Sequence, residues 1–228
     1  MRITAIVGTR PQLIKLAALR SSLTSPIEPF VVDTAQHHDE LLAGQIYRDL
    51  GMAPPDLLLP EPGDLRDDAR LDAMVRALDA ALVQIRPEVV LVFGDTDSTL
   101  AGALAAHARG IAIVHVEAGV RSGDATMPAE RNRIAVDKIA SLRLCTSDEA
   151  VQALRAEGLT EGNVVVGDLM ADLVARLAPT ARGTAALDAA ALRIGRSLSS
   201  GGFAYATLHR ADVRESTRLR AALDVLRV

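Results

Sequence analysis

The feature that most constrains this chain is a set of short apolar runs that do not alternate with polar residues. They occur at 3–7 (ITAIV), 30–33 (FVVD), 89–93 (VVLVF), 111–116 (IAIVHV), 142–145 (LRLC) and 164–166 (VVV). A strand with one wet face alternates, whereas a strand buried on both faces reads as a nearly continuous apolar run. Helical spacing fills the intervals, at 11–23, 38–50, 71–85, 98–109, 128–141 and 148–157. Leu71, Met74, Val75, Leu78, Leu82 and Ile85, for example, recur on one helical face. A loop rich in Pro, Gly and Asp covers 51–67. Strands and helices in turn predict a parallel sheet, right-handed crossovers and helices on both faces. The expected fold class is α/β, with a Rossmann-like doubly wound parallel sheet over the N-terminal part.

Composition narrows this further. Apolar residues are 49% of the 228, but aromatics only 2% with no Trp, so Ala, Leu, Val and Ile must pack the core closely. Too few aromatics remain to stack bases. A net charge of −4 without a Lys/Arg cluster also argues against nucleic acid. Cys145 is the only cysteine, so no internal disulfide and no Cys-based zinc site is expected. The start MRITAIVGTRP lacks the pattern of a signal peptide, and no apolar stretch reaches membrane-spanning length. A cytoplasmic protein without a membrane partner is expected. Residues 179–202, rich in Ala, Gly and Ser, read as a linker after an N-terminal domain of 1–178. An apolar strand at 203–208 and a helix over 214–228 follow. One strand and one helix cannot bury a core, so 203–228 is expected to begin a second, incomplete Rossmann-like domain.

In an open parallel sheet, ligands bind beyond the carboxyl ends of the strands. After the first strand, Gly8 permits a tight turn and Pro11 suits the first helical position. Free N–H groups there, with Arg10 and Lys15, could meet a diphosphate, or the two cations could be merely solvated. The segment is neither a Walker loop nor a GxGxxG fingerprint, which disfavours classical NTP or NAD binding. After the second strand, Gln36, His37 and His38 are polar groups for the same cleft. After 89–93, Asp97 or Ser98 can cap the next helix, freeing Asp95 for proton transfer. His115 and Glu117, two apart on a strand, are expected on the same side. His115 reads first as a satisfied core histidine. Glu117, partly desolvated, is expected to have a raised pKa and to serve as a base, or else to be an exposed loop acid. Arg121 follows, and Glu130 lies in the first turn of a helix opened by Pro128, either catalytic or a partner of the helix dipole. His209 and Arg210 end the strand at 203–208 and would face a cleft.

GTRPQLIK, TAQHHDELL, VFGDTDSTLAG, HVEAGVRSGDATMPAERNR, VVGDLMADL and TLHRADV, in this order, resemble the non-hydrolysing UDP-N-acetylglucosamine 2-epimerase family over essentially the whole chain. The resemblance implies the N-terminal half of a GT-B-like two-domain fold. It implies interconversion of UDP-GlcNAc and UDP-ManNAc by UDP elimination and re-addition, without NAD or metal. It also implies Asp95, Glu117, Glu130 and His209 as catalytic groups. Arg10, Lys15, Gln36, His37, Arg121 and Arg210 are then the expected substrate contacts, and a homodimer the expected assembly. Alternatives of the same fold are an epimerase of a modified UDP-sugar, such as a diacetamido-uronic acid, and a non-catalytic binding domain. The sequence departs from the family pattern at Ala129, where a first acid is usual, at Lys138 and after TLHR.

Overall fold

The structure is a computed structural model that describes residues 1–22, 28–37, 44–61, 63, 65, 67–179, 188, 192, 195, 197 and 216–225. The expected strand at 203–208, His38, His209 and Arg210 lie outside the described residues. The chain divides into two compact units, Met1–Arg176 and Leu177–Val228. In the second unit the described helix is Ser216–Val225.

The first unit alternates strand and helix: β1 (Ile3–Val7), α1 (Arg10–Ser22), β2 (Phe30–Asp33), α2 (Gly44–Asp49), β3 (Leu57–Leu58), α3 (Asp67–Ile85), β4 (Val89–Phe93), α4 (Asp97–Ala108), β5 (Ala112–Ala118), α5 (Pro128–Ile139), β6 (Leu142–Cys145), α6 (Asp148–Ala156), β7 (Asn163–Val165) and α7 (Leu169–Leu177). The sheet order is β3-β2-β1-β4-β5-β6-β7, and every pairing is parallel. This is the expected doubly wound, Rossmann-like α/β sheet. The chain winds outward from β1 in one direction and from β4 in the other, so the switch point lies between these two strands.

Alternate residues of the central strands enter two different cores, which is why the runs are apolar throughout. Ile6, Val90 and Val92 pack under α3 and α4, whereas Ala5, Val7, Leu91 and Phe93 pack under α1 and α2. Small residues replace the missing aromatics. Ala101, Ala103, Ala105 and Ala106 of α4 are buried, and a Cβ added to Gly102 would sit 2.9 Å from Ile6 Cδ1. The helix therefore rides directly on the sheet, and dense contact supplies the dispersion that large rings would otherwise supply.

The structure differs from the expected elements in three places. β3 is two residues long and lies inside the expected loop 51–67, too short to show a period. β5 runs on to Ala118 through a bulge, with Val116 opposite Leu144 and Ala118 opposite Cys145. α7 follows Gly167 and Asp168, whose carboxylate accepts from the Met170 amide at 2.8 Å. Among the described residues, no helix is long and apolar enough to cross a membrane.

Candidate active site

Two side-chain amide links, one buried and one partly buried, hold the strand-end turns on either side of the switch point. Gln12, 1% exposed, accepts from the Thr9 amide at 3.1 Å and donates to the Phe93 carbonyl at 3.0 Å and Thr99 Oγ1 at 2.9 Å. It thereby ties the start of α1 to the end of β4. Gln36 Oε1 accepts from the Ser98 amide at 2.9 Å and its hydroxyl at 2.5 Å, tying the end of β2 to α4. Gly8 does not adopt a positive φ. It is required by close approach instead, since a Cβ there would lie 2.0 Å from Thr34 Oγ1 and 2.3 Å from Ser98 Oγ. The His37 amide donates to the Gly8 carbonyl at 2.7 Å, and the Arg10 amide to His37 Nδ1 at 3.3 Å. The Arg10 side chain is exposed.

Beside these turns stands a cluster of two carboxylates and two cations. Lys15 pairs with Glu117, and Arg133 pairs with Asp95 and, at 3.1 Å, with Glu117 Oε1. The side chains of Lys15 and Arg133 are only 10% and 7% exposed, so neither is a solvated cation. Arg133 also donates to the Glu117 carbonyl. Glu117 is the bulge residue of β5 and has φ +68°. A non-glycine residue there costs about 1–2 kcal/mol, and backbone of this kind collects at functional sites.

The bulge corrects the expectation that Glu117 shares a side with His115. Glu117 turns to Lys15, while the fully buried His115 ring binds Asp137 Oδ1 and the Gly94 carbonyl, each at 2.7 Å. His115 is thus a satisfied core histidine. The expected raised pKa of Glu117 is corrected as well. Burial is the largest influence and pushes it up, but Lys15 and Arg133 together outweigh burial and hold it below the usual glutamate value. A third correction concerns α4, whose cap is Thr96 rather than Asp97 or Ser98. Thr96 and Thr99 form a reciprocal capping box. Asp97 instead pairs with Arg70 and accepts from Asn132 Nδ2 at 3.1 Å.

Glu130 and Arg121 make separate sets of contacts. Buried Glu130 accepts from the amides of Ser122 at 2.9 Å and Gly123 at 3.1 Å, closing the loop after β5 onto α5. Its burial raises the pKa, but those amides and Arg121 reverse the shift. Arg121 bonds Glu157 Oε1 at 2.7 Å and Asp137 Oδ2 at 2.8 Å, which raises its pKa despite burial. Among the described residues, no group of three or more His, Cys, Asp or Glu side chains could hold a metal ion.

Asp95, Glu117 and Lys15 therefore meet in one network, and Gln36, His37 and Arg10 border the neighbouring turns. Arg133, Asn132, Asp137 and Gln12 were not anticipated. A signal for the first three exists. Asn132, Arg133, Val136 and Asp137 share the buried face of α5, where an amphipathic helix carries apolar side chains. Polar groups at such positions must find partners.

The comparisons with known proteins agree with this fold. The family model described as UDP-N-acetylglucosamine 2-epimerase matches residues 21–228. A UDP-N-acetylglucosamine 2-epimerase homolog of Methanococcus maripaludis is 37% identical over 172 residues, covering 75% of this chain and 48% of its own length. A UDP-2,3-diacetamido-2,3-dideoxy-D-glucuronate 2-epimerase of Pseudomonas aeruginosa is 34% identical over 232 residues, covering 99% of this chain and 62% of its own. The crystal structure of Methanocaldococcus jannaschii UDP-GlcNAc 2-epimerase in complex with UDP-GlcNAc and UDP superposes with a TM-score of 0.86 at 30% identity. That superposition covers 98% of this chain and 61% of the solved one, so the chain spans half to three-fifths of the relatives it matches. With the matched range taking in nearly all of the sequence, this chain belongs to the UDP-N-acetylglucosamine 2-epimerase family.

Proposed function

We propose that the protein is a non-hydrolysing UDP-N-acetylglucosamine 2-epimerase that interconverts UDP-GlcNAc and UDP-ManNAc, and that this chain supplies the proton-transfer wall of its cleft. The observation that carries the reading is the cluster of Lys15, Asp95, Glu117 and Arg133 at the carboxyl ends of the strands beside the switch point. Residues 1–178 form its N-terminal domain, 179–202 the linker, and 203–228 the start of the second domain with His209 and Arg210.

The chemistry needs what the cluster contains. One carboxylate removes the C2 proton. The C1–O bond then breaks, and UDP leaves with the electron pair, giving a 2-acetamidoglucal. A second carboxylic acid protonates C2 on the opposite face as UDP adds back to C1, which inverts C2. Two carboxylates, Asp95 and Glu117, serve the two faces. The low pKa of Glu117 keeps it ionised and ready to accept a proton. A diphosphate entering beside Lys15 and Arg133 would compete for these cations. Glu117 would thereby become a stronger base only once substrate is bound.

The test is incubation of the complete gene product with UDP-GlcNAc in deuterated water. UDP-ManNAc carrying deuterium at C2 is expected, with turnover abolished by Asp95→Asn and Glu117→Gln. Absence of both epimer and deuterium would overturn the reading. A second substrate is favoured by the Pseudomonas aeruginosa relative, which matches along nearly the whole chain. Exchange only with the diacetamido-uronate nucleotide would shift the assignment to that sugar.

A further inference from the structure

His115 and Asp137 lie outside the charge cluster but touch both loops that carry its carboxylates. The His115 ring is fully buried, with Nε2 2.7 Å from the Gly94 carbonyl oxygen and Nδ1 2.7 Å from Asp137 Oδ1. A carbonyl oxygen only accepts, so Nε2 must carry a proton. Asp137 Oδ2 accepts from the Gly119 amide at 3.2 Å and faces Arg121 Nη2 at 2.8 Å. A cation and an amide on one oxygen favour the ionised carboxylate. A carboxylate also only accepts, so Nδ1 must carry a proton too.

The surrounding charges compensate a positive ring. Asp137 comes from α5 and Arg121 from the loop after β5, and Arg121 reaches on to Glu157 beyond α6 at 2.7 Å. Arg143 of β6 lies behind the pair, its Nε donating to the Asp137 carbonyl at 2.6 Å. Charge thus alternates along His115, Asp137, Arg121 and Glu157. The mechanical consequence follows from what each end grips. Gly94 precedes Asp95, and its amide donates to the Val116 carbonyl at 2.9 Å. Gly119 follows the Glu117 bulge at a φ of +79°.

We infer that His115 is a permanent buried imidazolium and a positioning residue, one ring nitrogen fixing the Gly94 peptide before Asp95 and the other, through Asp137, fixing Gly119 behind Glu117. The positioning role rests on the proposed reading of Asp95 and Glu117 as proton carriers; the charge of the ring does not. A neutral ring would have to surrender one of the two bonds and release one of the two loops.

The charge is tested by nitrogen-15 NMR of histidine-labelled complete protein. Both His115 ring nitrogens are expected to be protonated at about pH 8, where an ordinary histidine is mostly neutral. A ring with a single protonated nitrogen near neutral pH would overturn the inference. The positioning role is tested by Asp137→Asn and His115→Gln, with kcat and KM measured for UDP-GlcNAc. A fall in kcat of about 10- to 100-fold is expected, with KM changed by less than about threefold, because misplaced groups lose transition-state contact first. A folded variant with unchanged kcat would overturn it. Should His115→Gln fail to fold, Asp137→Asn, which keeps the side-chain size, carries the kinetics. A wild-type enzyme inactive on both UDP-sugars would remove the functional reading and the positioning role together. The proton count on the ring would still decide its charge.

Discussion

Gly8→Ala separates two reasons for a glycine after the first strand. If the turn needs unusual backbone, alanine fails wherever its neighbours are; if space is short, alanine fails because of those neighbours. The structure supports the second, since the added Cβ would lie 2.0 Å from Thr34 Oγ1 and 2.3 Å from Ser98 Oγ. Both residues are buried, and their hydroxyls are 2.8 Å apart. The Ser98 proton goes to Gln36 Oε1, so Thr34 must donate to Ser98. Displacing the two hydroxyls breaks two hydrogen bonds, one buried and one partly buried, a loss of about 2 kcal/mol. Overpacking adds about 1–3 kcal/mol, for a total of about 3–5 kcal/mol. Thermal melts followed by circular dichroism should show a fall in Tm of about 6–20 °C for a chain of this size. The same substitution made in a Thr34→Ala, Ser98→Ala background should cost less than about 1.5 kcal/mol, because the clashing oxygens are gone. An equal penalty in both backgrounds would refute the close-approach argument and return Gly8 to the role of a turn residue.

Two further outcomes concern buried charges. Lys15→Met should destabilise the protein at pH 7 by about 2 kcal/mol, less than for a fully buried pair because Arg133 remains and Glu117 is partly exposed. Glu117 titrates below its usual value near 4.5 in the folded state, so its stabilisation is present above that value and lost as pH falls through the folded pKa. Urea midpoints of the variant and wild type should therefore converge in acid, and a constant gap would contradict the ion-pair account. Tyr47→Phe removes the hydroxyl that donates to Asp33 Oδ2 at 3.0 Å and should cost about 1–2 kcal/mol at pH 7. Burial raises the Asp33 pKa, so folding favours its protonated form and stability falls as pH rises through the window between unfolded and folded values. The Tyr47→Phe penalty should accordingly shrink near pH 4, where a protonated Asp33 no longer needs the donor; denaturation at the two pH values measures this.

The division between sequence and structure follows the range of the forces involved. The parallel sheet was legible because runs such as VVLVF and ITAIV are apolar on both faces, a local property that only burial between helix layers satisfies. Strand ends were legible for the same reason, and with them the placement of Asp95, Glu117 and Lys15 beyond the strands, where they meet in one network. Element ends were less so: β3 was too short to show a period, and the bulge in β5 leaves no mark in composition.

The electrostatics of the site were decided only by the tertiary structure. Desolvation of Glu117 could be anticipated from its apolar strand, and burial is indeed its largest influence. The opposing cations could not, because Lys15 comes from α1 and Arg133 from α5, 102 residues before and 16 after Glu117. A pKa sums charges over a few ångströms of space, and chain separation carries no information about that distance. The His115–Asp137 pair has the same origin: the strand histidine was legible as a core residue, but its two acceptors arrive from the turn after β4 and from α5. Local pattern therefore determined which polar residues would stand at the strand ends, and the packing of distant segments determined which charges meet there.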